Sequence, residues 1–101
     1  MWIKCQNKKL INTDYFREFI VSATKTTNGL LVTIDTVKEW IFDGETATET
    51  YEVLKYENDK ETAERVLNGI YGDILHGLNS DKPCAIDINE MIRIYEKMKS
   101  W

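Results

Sequence analysis

Potential zinc ligands are scarce in this chain of 101 residues, which has one His and two Cys. A structural zinc site needs four ligands, usually in closely spaced pairs, whereas Cys5 and Cys84 lie near opposite ends of the sequence. We expect both cysteines to be small buried residues rather than a disulfide. The sequence also lacks a phosphate-binding glycine loop and a paired nucleophile and base. We therefore expect no catalytic residue, no metal ion and no cofactor.

Long apolar runs are missing as well. No stretch approaches the roughly 18 apolar residues that a membrane-spanning helix needs. Residues 1–6 lack the extended apolar core of a signal peptide. From these two absences we expect a cytoplasmic protein that does not contact a membrane.

Basic residues are too few to form a nucleic-acid surface. Residues 35–64 hold ten acids and three lysines, a net −7, and the rest of the chain holds seven acids and ten basic residues, a net +3. Phosphate contacts need a basic surface, so direct binding of nucleic acid is disfavoured. The acidic middle of the chain instead favours a protein partner with a basic surface.

The chain does have enough apolar residues for one core. They make up 43% of the sequence, and 11% of the residues are aromatic, as is typical of a single globular domain. We expect one domain over residues 1–101, with mainly strands over 1–57, a helix over 58–79 and a second helix over 88–99. The predicted fold class is α+β, with a small antiparallel sheet of four or five strands packed against the long helix.

The long helix gives the clearest pattern, because apolar residues recur every three or four positions over residues 58–79. Asn58 and Glu61 have the spacing of a capping box. Gly69 and Gly72 each cost about 1 kcal/mol relative to alanine inside a helix. They would suit close packing against another chain, against this protein's own second helix or sheet, or an early helix end at Gly69. The predicted buried face consists of Val66, Leu67, Ile70, Ile74 and Leu75.

The first half of the sequence is predicted to form strands separated by turns. Asn28-Gly29 has the composition of the two central residues of a type I′ hairpin turn, and Asp43-Gly44 predicts a second turn. Strands are expected over residues 30–35, 37–42 and 46–57. Residues 15–21 favour a strand, although the spacing also fits a helix. The 88–99 helix begins with another capping-box pattern, and a strand over residues 92–95 is the alternative.

The acidic middle contains the candidate interaction surface, with two tryptophans as candidate aromatic anchors. The alternative is a solvated strand face that keeps a sheet edge from aggregating. A calcium loop is excluded by the spacing of the acids. Asp73, His76 and Ser80 are triad residue types, but at a helix end we interpret them as structural. The candidate interaction residues are Asp43, Glu45, Glu49, Glu52, Glu57, Trp40 and Trp101.

Two mostly apolar blocks carry a resemblance. The first is Met1-Trp2-Ile3 followed by Gln6, Lys8, Leu10 and Ile11, and the second is Leu54-x-Tyr56 followed by Ala63-x-x-Val66-Leu67-x-x-Ile70. Together they resemble a group of small uncharacterised proteins from Gram-positive bacteria and their phages. The resemblance implies a strand-rich first half covered by one helix, and it implies no activity. The acidic segment around residues 35–50 departs from the pattern of that group.

From these observations we expect a small protein-interaction module encoded by a phage or mobile element. It would bind a host protein through its acidic surface and could inhibit it by doing so. A self-associating structural protein is the alternative, with its interface on the glycine-marked side of the long helix. A homodimer is compatible with either reading.

Overall fold

The computed structural model describes residues 1–16 and 18–98 and shows an α+β fold with two helices and six strands. The strands are β1 (Trp2–Lys4), β2 (Leu10–Asn12), β3 (Glu18–Thr26), β4 (Gly29–Phe42), β5 (Glu45–Asn58) and β6 (Ala85–Asp87). The helices are α1 (Lys60–Leu78) and α2 (Ile88–Lys97), and a short 3₁₀ turn, Thr13–Tyr15, precedes β3.

The strands form two sheets of three, which corrects the expected single sheet of four or five. One sheet has the order β2-β1-β6, and the other is the antiparallel meander β3-β4-β5. β6 pairs parallel to β1, with Ile3 opposite Ile86. This pairing joins the two ends of the chain, so no local pattern could have predicted it.

Helix α1 packs on β4 and β5 and buries most of its predicted face. Val66, Leu67, Ile70 and Ile74 are buried as predicted, whereas Leu75 is 42% exposed. Leu75 was wrongly assigned to the core because it lies on the flank of α1 that faces β3. There it lines an open groove between helix and sheet.

The helix caps are only partly as predicted. Asp59, not Asn58, caps α1, and its carboxylate accepts a hydrogen bond from the Thr62 N–H at 3.0 Å. Asn58 is still paired with Leu30 as the last residue of β5, so its backbone belongs to the sheet. Asp87 caps α2 as expected, and it accepts hydrogen bonds from the second and third residues of the helix.

One of the two predicted hairpin turns lies one residue earlier than expected, and the other lies where the sequence predicts it. Thr26 pairs with Gly29, so the loop residues of the β3–β4 hairpin are Thr27 and Asn28 rather than Asn28-Gly29. Gly29 has φ +140°, and the end of β5 lies so close that a Cβ there would be 2.2 Å from the Asn58 carbonyl oxygen. The type I′ pattern occurs instead at Asp43 and Gly44, with φ of 53° and 79°.

A β-bulge divides β5 into two segments of opposite phase. Ile34 pairs with Leu54 but the next residue, Asp35, pairs with Glu52, so Val53 is the extra residue. Val53 and Leu54 are consecutive and both fully buried. Gln6 holds the bulge from outside the sheet, because its N–H donates to the Val53 carbonyl at 3.0 Å.

Helix α2 is joined to α1 by close packing and by hydrogen bonds. The Tyr95 ring lies directly against Gly69, which identifies packing on the protein's own second helix as the role of that glycine. Arg65 donates from Nε to the Tyr95 carbonyl at 2.8 Å and from Nη2 to the Glu96 carbonyl at 3.2 Å. These carbonyls belong to the last turn of α2, so Arg65 caps that helix from α1.

The remaining strand predictions changed in their boundaries. The strands expected over residues 30–35 and 37–42 form one continuous strand, β4, and the expected 15–21 strand begins only at Glu18.

Cys5 is buried and Cys84 half-buried, and both are free thiols. Burial raises the pKa of the Cys5 thiol. In the part of the chain that the structure describes, neither helix has the length and apolar character needed to cross a bilayer.

Candidate interaction site on the hairpin arm

The long strands β4 and β5 extend beyond their neighbour β3. Glu18, the first residue of β3, is paired with Val37. From Lys38 to Phe42, β4 is paired with residues Glu49 to Glu45 of β5 and, within residues 1–16 and 18–98, with no further strand. We call residues 38–49 the hairpin arm. The arm contributes to the elongated shape of the molecule, whose longest dimension is 51 Å.

Three consecutive large apolar residues, Trp40, Ile41 and Phe42, lie near the end of the hairpin arm, and we call them the apolar tip. Their exposed fractions are 39%, 76% and 74%. Strand alternation directs Trp40 and Phe42 to one face and Ile41 to the other. Ile41 and Phe42 are therefore largely accessible on the two faces, whereas more than half of the Trp40 side chain is covered. Monomeric proteins rarely expose contiguous apolar patches, so the apolar tip is a candidate binding surface.

Carboxylates surround the apolar tip. The hairpin arm carries Glu39, Asp43, Glu45 and Glu49 against Lys38, which is a net charge of −3. Trp40 is paired with Ala47, and the neighbouring pairs along the same face are Lys38 with Glu49 and Phe42 with Glu45. One face of the arm therefore presents two aromatic side chains with two carboxylates.

The other predicted acids lie on the opposite face, Glu52 by simple strand alternation and Glu57 because of the bulge. Glu52 is paired with Asp35 and Glu57 with Leu31, and both partners point away from α1. Glu45 and Glu49 lie on the face that α1 covers farther along the sheet, where Ile34 is fully buried. The five acids predicted to form one surface are thus divided between two faces, with Asp43 in the turn between the strands. Of these five acids, Asp43, Glu45 and Glu49 adjoin the apolar tip.

Tyr51, two residues beyond the hairpin arm in β5, contacts the segments on either side of β2. Its ring meets that of Phe16 edge to face, with centroids 5.2 Å apart. The Lys9 ammonium lies over the Tyr51 ring, 3.9 Å from its centroid. This distance is typical of a cation–π contact. A side-chain hydrogen bond with Glu49 raises the pKa of the Tyr51 hydroxyl. The base of the arm is consequently held in place while its end projects outward.

A shallow groove runs between the hairpin arm and the 3₁₀ turn before β3. Tyr15, which is largely exposed, and Trp40 line it from opposite sides. The Lys38 ammonium lies 5.9 Å from the Tyr15 ring centroid. The groove extends the exposed aromatic surface from the arm to the body of the protein. Its lining residues are Asp14, Tyr15, Phe16, Glu39, Trp40 and Ile41.

The remaining predicted site residues lie away from the arm. Trp101 is outside the described residues. Asp73, His76 and Ser80 line one cavity of 270 Å³ together with Cys84. The Asp73 carboxylate accepts a hydrogen bond from Tyr95, and the Ser80 hydroxyl accepts one from the Lys82 N–H. The described chain has no cluster of three or more His, Cys, Asp or Glu side chains that could hold a metal ion.

The glycine-marked side of α1 is largely occupied by the protein itself. A Cβ at Gly69 would lie 2.5 Å from the Tyr95 ring, and one at Gly77 would lie 2.6 Å from the Met1 side chain. Only Gly72 has open space beside it. This surface offers little room for the close approach of a second chain.

Sequence reasoning missed Ile41 and Tyr15 as members of the exposed aromatic and apolar surface. A signal for Ile41 is present, because three successive large apolar residues precede the Asp43-Gly44 turn. Such a run places apolar side chains on both faces of a strand, which only a covered strand or a binding surface accommodates. Tyr15 carries no comparable signal.

Comparison with models of known families, with curated proteins and with solved structures found no match to this chain.

Proposed function

We propose that this protein acts by binding another protein through its hairpin arm rather than by catalysing a reaction. The observation that supports the proposal best is the exposure of Ile41 and Phe42, each about three-quarters accessible at the end of an uncovered two-stranded hairpin. Burying one such side chain at an interface contributes roughly 1.5–3 kcal/mol. A partner with an apolar cleft would therefore gain most of its affinity from the apolar tip.

The partner that fits this surface has a basic rim around its apolar cleft. The net charge of −3 on the hairpin arm attracts such a partner and accelerates the encounter. The aromatic face carries Glu45 and Glu49 beside Trp40 and Phe42, so charge and apolar contact act on the same side. Nucleic acid does not fit this surface, because its phosphates would be repelled.

The biological setting that we propose comes from the sequence resemblance to phage-associated proteins. In that setting the chain is encoded by a phage or mobile element, acts in the cytoplasm and binds a host protein. Insertion of the arm into a cleft would inhibit the host protein if that cleft is its working site. The projecting shape of the arm suits insertion better than flat docking.

The test compares capture of host proteins by variants of the two acidic faces. One variant carries Glu45→Gln and Glu49→Gln, and its matched control carries Glu52→Gln and Glu57→Gln on the opposite face. Both variants lose two negative charges from exposed positions of β5. We expect the first to capture less partner at low salt, while the control captures as much as the wild type. Equal capture by both would show that the acids near the apolar tip only solvate the strand.

A second pair of variants separates apolar contact from charge. Phe42→Ser removes an exposed apolar side chain from the tip, and Leu10→Ser removes one from β2 that is also more than half exposed. We expect Phe42→Ser to weaken binding of the captured partner at least tenfold, and Leu10→Ser to leave it unchanged. Unchanged binding by Phe42→Ser would contradict the proposal.

A further inference from the structure

Two sulfur atoms lie side by side next to Gly77, in the last turn of α1. A Cβ at that position would be 2.6 Å from the Met1 sulfur and 3.1 Å from the Cys84 sulfur. The two sulfur atoms are therefore separated by no more than the sum of these distances. Both can lie this close to α1 because Gly77 has no side chain to displace them. We call the sulfur atoms of Met1 and Cys84 the sulfur pair.

Backbone hydrogen bonds fix the two residues that carry the sulfur pair. Met1 and Cys84 each stand immediately before one of the paired strands β1 and β6. The Trp2 N–H donates to the Cys84 carbonyl at 2.9 Å. The Met1 carbonyl in turn accepts from the Thr13 N–H at 2.9 Å and from the Thr13 hydroxyl at 3.1 Å. The parallel pairing of β1 with β6 thus holds residues from distant parts of the sequence next to each other.

The sulfur pair lines a cavity of 270 Å³ that an imidazole also lines. The imidazole is that of His76, which is exposed and directly precedes Gly77 in α1. The Cys84 thiol is free, and its only contact given by geometry is a weak one, with the Gly77 carbonyl at 3.6 Å. A thioether, a thiol and an imidazole are therefore brought to one cavity that solvent can reach.

This set of ligands suits a soft metal ion of low charge. Thiolate and thioether sulfur select copper(I), and imidazole also binds copper. Zinc fits poorly, because it takes four ligands. Among residues 1–16 and 18–98, no three His, Cys, Asp or Glu side chains form a group that could hold a metal ion. The expectation of no metal ion was based on the ligands of zinc, whereas methionine sulfur is a ligand of copper(I).

We propose that this cavity binds one copper(I) ion between the sulfur atoms of Met1 and Cys84, with the His76 imidazole as a third ligand. Metal–sulfur bonds of about 2.3 Å place the two sulfur atoms at most about 4.6 Å apart. The Met1 side chain is unbranched and flexible, so it supplies any adjustment that this separation requires. The thiol proton is released to solvent as the thiolate binds the ion. This site does not depend on the proposed role of the hairpin arm.

Titration of the full chain with silver(I) tests the site. Silver(I) has the charge and the ligand preference of copper(I) and does not oxidise in air. We expect Cys84→Ser to weaken the binding of silver(I) at least a hundredfold and His76→Gln to weaken it at least threefold. Cys5→Ala removes the other thiol, which is buried, and should change the affinity less than twofold. Equal affinities of Cys84→Ser and wild type, or no effect of His76→Gln, would contradict the proposed set of ligands.

The methionine methyl groups report on the thioether in the unsubstituted protein. Met98 is 50% exposed and is the internal control, because a silver(I) ion that binds any accessible thioether would reach it. In protein with isotope-labelled methionine methyl groups, one equivalent of silver(I) should shift the Met1 resonance and leave the Met98 resonance unchanged. An unchanged Met1 resonance, or equal shifts at the two residues, would show that the sulfur pair does not bind the ion and would overturn the proposal.

Discussion

The ring of Tyr95 occupies the space that a side chain at residue 69 would need. A Cβ on Gly69 would lie 2.5 Å from Cε1 of the ring, closer than real contacts allow. The Tyr95 hydroxyl donates to the Asp73 carboxylate at 2.7 Å, and the Arg65 guanidinium donates to the Tyr95 carbonyl. One residue of α2 is therefore fixed at three points on α1. The two helices can approach this closely because residue 69 has no side chain.

The first prediction concerns that glycine. Alanine inside a helix is normally about 1 kcal/mol more favourable than glycine, but at residue 69 it would overpack the Tyr95 ring. We expect Gly69→Ala to lower the free energy of unfolding by about 1–3 kcal/mol, as overpacked sites usually do. Gly72→Ala is the matched control, because a Cβ there meets no atom within 4 Å. It should raise the free energy of unfolding in urea melts. Stabilisation by both substitutions would show that α2 does not pack as described.

A second prediction separates the buried from the exposed side of α1. Ile70 is fully buried, and Ile70→Ala should lower the free energy of unfolding by about 2–5 kcal/mol through lost transfer energy and a new cavity. Leu75 is 42% exposed, and Leu75→Ala should cost less than about 1 kcal/mol. Urea melts of dilute protein check both values. Similar losses of unfolding free energy for Ile70→Ala and Leu75→Ala would mean that the buried face of α1 is shifted by one residue from the one described.

The third prediction tests the position of the first hairpin turn. Gly29→Ala would put a Cβ 2.2 Å from the Asn58 carbonyl oxygen, and that backbone cannot move without disturbing the start of α1. Gly44→Ala meets no neighbour and should cost only the roughly 1–2 kcal/mol of a left-handed residue with a side chain. We expect Gly29→Ala to be the more destabilising of the two in thermal or urea unfolding. The reverse order would mean that Asn28-Gly29 forms the turn as its composition suggests.

A fourth prediction follows from the titration of Tyr95. Burial, the hydrogen bond to Asp73 and the charge of that carboxylate raise the pKa of Tyr95 to about 12, from an ordinary value of 10.0. The folded state then holds the proton more tightly than the unfolded state. The stability linked to this group is present below pH 10 and is lost as the pH rises towards about 12. Urea melts across that interval should show a falling free energy of unfolding.

The control for this pH dependence is Tyr95→Phe. It keeps the ring against Gly69 and removes the ionisable hydroxyl, so the decline should become shallower. The remaining slope would come from other groups, including Tyr56, whose pKa is also raised by burial and by its hydrogen bond to Glu96. An unchanged slope in Tyr95→Phe would exclude Tyr95 as the source.

The sequence predicted those parts of the fold that short-range patterns determine. The spacing of Val66, Ile70 and Ile74 indicates α1 and its buried face without any knowledge of the sheet. The same holds for Asp87, whose carboxylate caps α2 as the local pattern predicts. Leu75 fits the helical spacing equally well. It is 42% exposed because it lies on the flank of α1 that faces β3, beside a groove between helix and sheet.

The parts that escaped prediction depend on contacts between distant residues. The pairing of Ile3 with Ile86 and the bulge at Val53, held by Gln6, leave no trace in the neighbouring sequence. The bulge also decided part of the candidate site, because it moved Glu57 to the face opposite Glu45. Simple alternation along one uninterrupted strand already separates odd from even residues, but it keeps Glu57 with Glu45. Only the structure shows that these two acids point in opposite directions.

The side chains of the hairpin arm contribute little to the core of the protein. This affects how the sequence of the chain can evolve. Ile41 and Phe42 are exposed already, so replacing them alters the surface of the arm at little cost to folding. The residues that maintain the fold, such as Ile34, Leu54 and Ile70, lie elsewhere. New sequences can therefore be tried on the arm while the body stays intact. Under the proposed binding role, a lineage built on this scaffold would follow a changing partner by altering a segment of about a dozen residues.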